Sequence, residues 1–181
     1  MKKTVIHKFI PKKLVIIINK KSLILLNHLI GLKLTYTMSR DKFILAVLAT
    51  SPDYQYTPVQ LQKIFFLLDR NLDNQVKYTP HFNFIPYHYG PFDKGVYEDL
   101  NELELEGLVE IKYTGFNNLK NYHLTKEGSI LGEKELENID KKYVDYIKRV
   151  NDFVRGLSFE QLIKAIYKEY PDMKVNSIFF Q

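Results

Sequence analysis

The strongest constraint on the fold is a run of five local patterns between residues 93 and 136. The first is a helix that Asp93 can cap and Gly107 can end, with apolar residues at helical spacing between them. A half-buried strand follows over 108–113, where apolar and polar residues alternate. A polar turn, a return strand and a helix that Thr125 can cap complete the run. These last three patterns occupy 114–118, 121–124 and 126–136.

This order of elements is typical of a winged-helix domain, in which the two strands and their turn form the wing. Two further helices are predicted after it. The first extends from Glu135 to about Leu157, and the second covers 159–169, with Ser158 as N-cap and Pro171 as a stop. We therefore predict a mostly helical α+β fold: a winged-helix-like domain with a two-stranded wing and C-terminal helices.

Two helices are also predicted before this run, and the second has the clearest start signal in the sequence. The first extends from Ser39 to about Thr50. In the second, Thr57 occupies the N-cap, Pro58 the first helical position and Gln60 the third, which together form a capping box. The residues that follow are apolar on most sides, so this helix is predicted to lie in the centre of the core.

Residues 78–92 combine many aromatic side chains with three prolines, so the segment is predicted to be extended with a turn. Its densest part is Tyr87-His88-Tyr89-Gly90-Pro91-Phe92. Two interpretations stay open at this point. The rings can simply cover the core beneath the wing, or the side chains with polar tips can form a binding surface, since aromatic residues dominate interface hot spots.

The net charge of +5 comes entirely from the first 37 residues. Residues 1–37 contain eight lysines and no acidic residue, whereas 38–181 contain 18 basic and 21 acidic residues. We predict that the domain occupies 38–181 and that 1–37 is a basic extension outside the native domain, translated from an early start. A membrane-surface or targeting helix and a nucleic-acid-binding arm are the two alternatives for this extension.

Several classes of function lack their required residues. The chain has no cysteine, which excludes disulfides, thiolate zinc sites, iron–sulfur clusters and cysteine nucleophiles. It has no phosphate-binding glycine-rich loop, no serine nucleophile elbow and no apolar run long enough to span a membrane. His81 and His88 are close enough in sequence to share a metal, but no ligand spacing supports it. We therefore predict a cytoplasmic, non-enzymatic protein with neither cofactor nor metal.

DNA binding is a common use of a winged helix, but the helix before the wing is strongly acidic here. It carries a single basic residue, Lys94. Its six acidic residues are Asp93, Glu98, Asp99, Glu102, Glu104 and Glu106. Because duplex DNA carries one negative charge per about 1.7 Å, such a helix is disfavoured in the major groove. A DNA-binding regulator that contacts DNA through Lys112 and Lys120 of the wing remains the alternative.

The long C-terminal helix carries apolar residues at alternating spacings of four and three, which is typical of a heptad stripe. The residues of this stripe are Ile139, Tyr143, Tyr146, Val150, Phe153 and Leu157. The stripe is predicted to pack on its own domain, and the alternatives are the seam of a dimer or a partner groove.

Three short motifs resemble those of one bacterial and phage family. They are Leu61-Gln62-Lys63-Ile64-Phe65-Phe66, then Tyr87-His88-Tyr89-Gly90-Pro91-Phe92 with Tyr97, and Tyr170-Pro171-Asp172-Met173-Lys174-Val175-Asn176-Ser177. Together they are similar to the Panacea or SocA-like antitoxin domain, and most similar to its YwgA-like branch. The resemblance covers roughly residues 40–180.

The resemblance implies an antitoxin-like protein-interaction module, which neutralises a toxin or delivers it to another protein by direct contact. The expected partner is therefore a toxin or another effector protein. The residues expected to bind it are Tyr87, His88, Tyr89, Gly90, Pro91, Phe92 and Tyr97. An antitoxin of this kind needs only to bind, which agrees with the missing catalytic residues.

Overall fold

The computed structural model describes residues 38–72 and 82–179. The predicted basic extension, 1–37, and His81 lie outside the described residues. Within the described part, six α-helices accompany two separate antiparallel sheets of two strands each, which confirms the mostly helical α+β class. None of the helices in this part is long and apolar enough to cross a bilayer.

The helices agree closely with the predicted ones except near residue 139. They are α1 Arg40–Ala49, α2 Pro58–Asn71, α3 Lys94–Leu105, α4 Lys126–Leu136, α5 Lys141–Arg155 and α6 Phe159–Glu169. The strands are β1 Ile85–Tyr87, β2 Gly90–Phe92, β3 Val109–Thr114 and β4 Leu119–Leu124, and a 3₁₀ helix covers Pro171–Lys174.

Helix α2 begins at the predicted capping box and forms the centre of the core. The Thr57 hydroxyl accepts a hydrogen bond from the Gln60 amide at 3.3 Å, and the Gln60 side chain accepts one from the Thr57 amide at 3.0 Å. Along α2, Leu61, Ile64 and Phe65 are completely buried. This helix therefore provides a rigid base for the elements that pack on it.

Helix α1 is buried from residue 43 to residue 49 and lies against α4. The two helices approach closely because α4 has a glycine at the contact. A Cβ atom at Gly132 would lie 2.5 Å from the Leu45 carbonyl oxygen and 2.7 Å from the Ala49 Cβ. Any larger residue at position 132 would force the helices apart.

The β3–β4 hairpin follows α3 directly and packs on the core only at its base. Val109 pairs with Leu124 at this base, and Thr114 pairs with Leu119 near the tip. Tyr56, in the loop before α2, bridges to Tyr122 of β4 through two backbone hydrogen bonds of 2.8 and 2.9 Å. Tyr56 therefore adds a single antiparallel bridge to the outer side of β4.

The prediction of one helix over 135–157 is wrong. Helix α4 ends at Leu136, and α5 begins only after a four-residue break, 137–140. Asp140 is the N-cap of α5, and the Asn138 side chain donates to the Lys134 carbonyl at 3.4 Å. The Asn138 side chain competes with the backbone for a helical carbonyl, and Asp140 has the extended backbone of an N-cap, so one helix ends and the next begins in this Asn-Ile-Asp sequence.

The chain after α6 returns to α2. The Tyr170 ring contacts Phe66 edge to face at 4.8 Å, and its hydroxyl accepts a hydrogen bond from Asn71 at 3.0 Å. The 3₁₀ helix that follows buries Met173. This path brings the last described residues alongside the first hairpin.

Candidate partner-binding site

The aromatic segment folds into a tight hairpin over 85–92, which we call the aromatic hairpin. Its two-residue turn is His88-Tyr89, and the next residue, Gly90, has a φ of +92°. A Cβ atom at Gly90 would lie only 3.1 Å from Cε1 of Tyr167. Two features therefore require glycine at this position: the positive φ angle and the close packing of the turn on α6.

The aromatic hairpin is held from beneath by a buried glutamine of α2. The Gln62 side chain donates to the Asp93 carbonyl at 2.9 Å and accepts from the Asp93 amide at 2.9 Å. It thus pairs with Asp93 as a neighbouring strand would. The Asp93 carboxylate in turn accepts from the Asn83 and Gly95 amides at 2.7 and 2.8 Å, which fixes both ends of the hairpin.

The next residue of α2, Lys63, is buried under the same hairpin. It is only 2% exposed, and its ammonium donates to the Pro91 carbonyl at 3.0 Å. Among the described residues it forms no ion pair. Because burial disfavours the charged form, the pKa of the Lys63 ammonium is lowered to about 7. A lysine without a counter-charge inside a protein is unusual and marks this place as a functional candidate.

The C-terminal segment supports the other side of the aromatic hairpin. The Asn176 side chain donates to the Pro86 carbonyl at 3.1 Å, and the Ile178 amide donates to the His88 carbonyl at 3.0 Å. The three motifs that carry the family resemblance therefore converge in space, since each contributes to one hairpin and its supports.

The predicted site residues divide into an exposed group and a buried group. Tyr87 is 43% exposed, Tyr89 is 39% exposed, and His88 is also exposed. Gly90 and Pro91 are buried, and Phe92 is half-buried. A partner can therefore contact the two tyrosines and the histidine directly, whereas the other residues fix the position of the turn.

Stacking fixes the exposed rings in place. The Tyr87 and His88 rings stack with their centroids 4.1 Å apart, and Tyr89 contacts Phe159 of α6 edge to face at 5.2 Å. Tyr97 is a support rather than a contact surface, because its half-buried hydroxyl donates to the Pro58 carbonyl at 3.2 Å. Burial raises the pKa of Tyr97 to about 12.

A pocket of about 200 Å³, which we call the turn pocket, lies between the aromatic hairpin and α2. Val59, Gln62 and Lys63 of α2 line one side of it, and the hairpin and Tyr97 line the rest. A second cavity of about 440 Å³, the side groove, lies between the start of α2, the β3–β4 hairpin and the start of α6. Its apolar lining includes Pro58, Val59, Leu119, Leu157, Phe159 and Leu162.

The turn pocket and the side groove are adjacent. Val59 lines both of them, and Phe159 of the groove contacts Tyr89 of the hairpin. The structure therefore adds a concave apolar surface beside the predicted aromatic turn. Sequence analysis missed this groove, because its lining comes from three separate elements. It also assigned no role to Gln62 and Lys63, although two polar residues within an apolar core helix are a usable signal.

Three of the six acids in and around helix α3 have partners within the molecule, although one of them, Glu98, pairs at the surface. Asp93 is buried as described above, Asp99 forms an ion pair and hydrogen bonds with Arg40, and Glu98 pairs with Lys94 at 2.7 Å. The three remaining acids, Glu102, Glu104 and Glu106, are exposed.

The two lysines proposed for DNA contact lie on the β3–β4 hairpin. Lys112 is 3.6 Å from the Glu110 carboxylate, and the Lys120 ammonium lies 5.8 Å from the centre of the Tyr113 ring. Lys120 also lines the side groove.

The stripe predicted for a dimer seam does not lie on one helix. Ile139 is buried in the break before α5, and Leu157 follows the end of α5. Within α5, the buried face consists of Ile147, Val150, Asn151 and Val154. Tyr143 and Tyr146 are half-buried, and Phe153 is 49% exposed. Most of the stripe therefore packs on its own domain.

The remaining candidate sites show little chemistry. His123 lies on β4, where its Nε2 is 2.9 Å from the Glu110 carboxylate. In the part of the chain that the structure describes, no group of three His, Cys, Asp or Glu side chains is placed to hold a metal ion.

No protein-family model matches the chain, and no curated protein or solved structure matches it either.

Proposed function

We propose that this chain is a protein-interaction module of antitoxin type, which binds a toxin or other effector through the aromatic hairpin and the side groove. The observation that carries the proposal is a set of exposed aromatic side chains on a fixed turn. Tyr87, His88 and Tyr89 are exposed, yet the backbone beneath them is held from α2 and from the C-terminal segment.

Rigid support matters because binding normally costs the entropy of ordering the surface that binds. In the aromatic hairpin this ordering is already present before a partner arrives. Tyrosine and histidine side chains also combine a large ring with a polar tip, so they contribute contact area and hydrogen bonds at once. Both properties favour a role in recognition.

The side groove can receive part of a protein partner. Its volume of about 440 Å³ is sufficient for one or two apolar side chains, and it opens beside the aromatic hairpin. A partner that places an apolar side chain in the groove and packs on Tyr89 would cover a continuous surface. Such a buried anchor surrounded by aromatic contacts is typical of interface hot spots.

The family resemblance supplies the antitoxin type of this proposal. The winged-helix-like arrangement belongs to the proposal as well: α3, the β3–β4 hairpin and the antiparallel bridge at Tyr56 support it. We also place the protein in the cytoplasm, where the antitoxins that it resembles act. Binding alone is sufficient for such a role, so the proposal assigns no enzymatic activity.

A DNA-binding regulator is the second candidate, favoured by the position of Lys112 and Lys120 on the β3–β4 hairpin. Helix α3 stands against it, because Glu102, Glu104 and Glu106 remain exposed after the other acids are paired. Carboxylates next to phosphates repel, whereas typical DNA-binding helices gain affinity by releasing counterions.

The test is co-expression of the full-length chain with the product of the reading frame next to its gene. We expect the neighbouring product to stop growth alone and the chain to restore growth. The variant Tyr89→Ala should fail to restore growth. Phe153→Ala, which removes an equally exposed ring that lines neither cavity, should behave like the unchanged chain.

Two results would contradict the proposal. One is full rescue by Tyr89→Ala at equal protein level, which would remove the aromatic hairpin from the interface. The other is tight binding of duplex DNA that weakens about 10³-fold between about 50 and 200 mM salt, which is the signature of many phosphate contacts. That second result would favour the regulator instead.

A further inference from the structure

The turn pocket is lined by a buried lysine, Lys63, that forms no ion pair within the part of the chain that the structure describes. Lys63 is one of the residues that line this pocket, and its ammonium has three N–H donors. Among the described residues, the Pro91 carbonyl is the one acceptor within hydrogen-bond distance, at 3.0 Å. Asp93 lies two residues after Pro91, but its carboxylate accepts hydrogen bonds from two backbone amides and not from Lys63.

We propose that the turn pocket receives the carboxylate of an acidic side chain from the bound partner, which pairs with the Lys63 ammonium. This inference rests on the proposed function and specifies the chemistry of the partner. It predicts that the partner presents an aspartate or glutamate next to an apolar side chain. The acid enters the turn pocket, and the apolar side chain enters the adjacent side groove.

Charge complementarity supports this occupant. Transferring an ammonium out of water without a counter-ion is unfavourable, and burial accordingly lowers the pKa of Lys63 to about 7. A carboxylate in the pocket would favour the charged form and recover part of that cost. Charge-assisted hydrogen bonds of this kind are shorter and stronger than neutral ones.

Size and lining agree with a side chain rather than a large ligand. The pocket volume of about 200 Å³ leaves room for a few water molecules, each of which takes about 30 Å³ of liquid, or for one carboxylate group. Because Lys63 is only 2% exposed, the acid must enter the pocket instead of touching the surface. The exposed rings of Tyr87 and Tyr89 then cover it from water.

The test uses the full-length chain and a defined probe, N-acetyl-L-glutamate α-methylamide, which carries one side-chain carboxylate. Binding is followed by NMR through the Lys63 side-chain nitrogen and the Gly90 amide, at probe concentrations up to about 50 mM. We expect saturable shifts and a rise in the pKa of Lys63. The matching glutamine probe, which is neutral, should bind at least about tenfold more weakly because it lacks the charge-assisted bond.

Two variants separate this site from a general effect of positive charge. Lys63→Met removes the ammonium and should weaken glutamate-probe binding at least about tenfold. Lys148→Met removes an exposed ammonium that lines neither the turn pocket nor the side groove, and it should leave probe binding unchanged. The comparison of glutamate and glutamine probes on the unchanged chain does not depend on whether Lys63→Met folds.

Three results would overturn the inference: no shift with the glutamate probe, equal binding of both probes, or preference for N-acetyl-L-alanine, whose carboxylate is a chain end. Each of these binding results is independent of the growth test. If the glutamate probe binds but Tyr89→Ala still restores growth fully, the proposed function is overturned and the pocket chemistry stands. If rescue of growth requires Tyr89 but the probe does not bind, the pocket inference is overturned and the proposed function stands.

Discussion

The two hairpins of the molecule present similar aromatic residues but are held in different ways. The aromatic hairpin rests on Gln62, Lys63 and Asn176, which come from distant parts of the chain. At the tip of the β3–β4 hairpin, the described side-chain hydrogen bonds stay within the hairpin, as in the 2.8 Å bond from Asn121 to Thr114. The comparison teaches that an exposed ring alone does not identify a binding surface, and that rigid support is the more useful criterion.

The largest expected effect contrasts one glycine in each hairpin. Gly90→Ala should destabilise the protein by about 3 kcal/mol, because the new Cβ meets Tyr167 and the positive φ is strained. Gly115→Ala, at a φ of +71° with no atom within 4 Å of the new Cβ, should cost only about 1 kcal/mol. Urea unfolding of the two variants measures both values. Equal losses would show that the aromatic hairpin is no more tightly packed than the other.

The second prediction compares the loss of one side-chain amide that supports the aromatic hairpin with the loss of one in the β3–β4 hairpin. Gln62→Ala leaves the buried amide and carbonyl of Asp93 without partners and should cost about 2 kcal/mol. Asn121→Ala removes an exposed side-chain bond and should cost less than about 0.5 kcal/mol. Thermal unfolding of both variants provides the measurement. A Gln62→Ala loss as small as that of Asn121→Ala would mean that the hairpin does not depend on α2.

The starts of the helices could be predicted from the sequence because the N-cap residues that set them lie within a few positions of each start. The capping boxes at Thr57 and Ser158 fix the starts of α2 and α6, and Thr125 fixes the start of α4. The helix break at 137–140 was missed, since the apolar spacing from 139 to 157 continues through it. Here the Asn138 side chain, which donates to the Lys134 carbonyl, and the extended backbone of Asp140 interrupt the helix despite the spacing.

The candidate site could be predicted only in part. The aromatic turn is visible in the sequence because its residues are consecutive. The position of Lys63 within an apolar core helix is a sequence signal, but its hydrogen bond to Pro91, 28 positions away, forms only in the folded chain. The side groove depends on three elements that meet only in the folded chain.

The third prediction uses the pH dependence of stability and concerns Lys63 alone. Its pKa is about 7 in the folded protein, against 10.5 as the ordinary value, so between these pH values the unfolded chain binds one more proton. Unfolding free energy should therefore rise with pH in this window, by about 1.4 kcal/mol per pH unit from this group. Below pH 7 Lys63 adds no pH dependence to the unfolding free energy, because its side chain is charged in both the folded and the unfolded state.

The control for this pH effect is Lys63→Met, which has a similar length and no charge. The difference in unfolding free energy between the unchanged chain and this variant should change by about 1.4 kcal/mol per unit from pH 7.5 to 9.5. Denaturant titrations at three pH values provide the slope. A difference that stays constant with pH would mean that Lys63 keeps an ordinary pKa and is solvated.

The smallest expected effect is that of the fully exposed ring at the tip of the β3–β4 hairpin. Phe116→Ala should change stability by less than about 0.5 kcal/mol, since the side chain packs on nothing. It should also leave rescue of growth by the full chain unchanged. Loss of rescue with unchanged stability would move the partner-binding surface to this hairpin.

The most direct test of the account is amide hydrogen exchange of the full-length chain with and without the product of the neighbouring reading frame. We predict slow exchange of the strand amides of 85–92 already in the free protein, apart from the two prolines, which have no amide hydrogen. We also predict further protection of this segment and of residues 157–162 on binding. The tip of the β3–β4 hairpin, residues 115–118, should exchange equally fast in both samples. Protection at that tip with no change in 85–92 would contradict a binding surface built on the rigid turn.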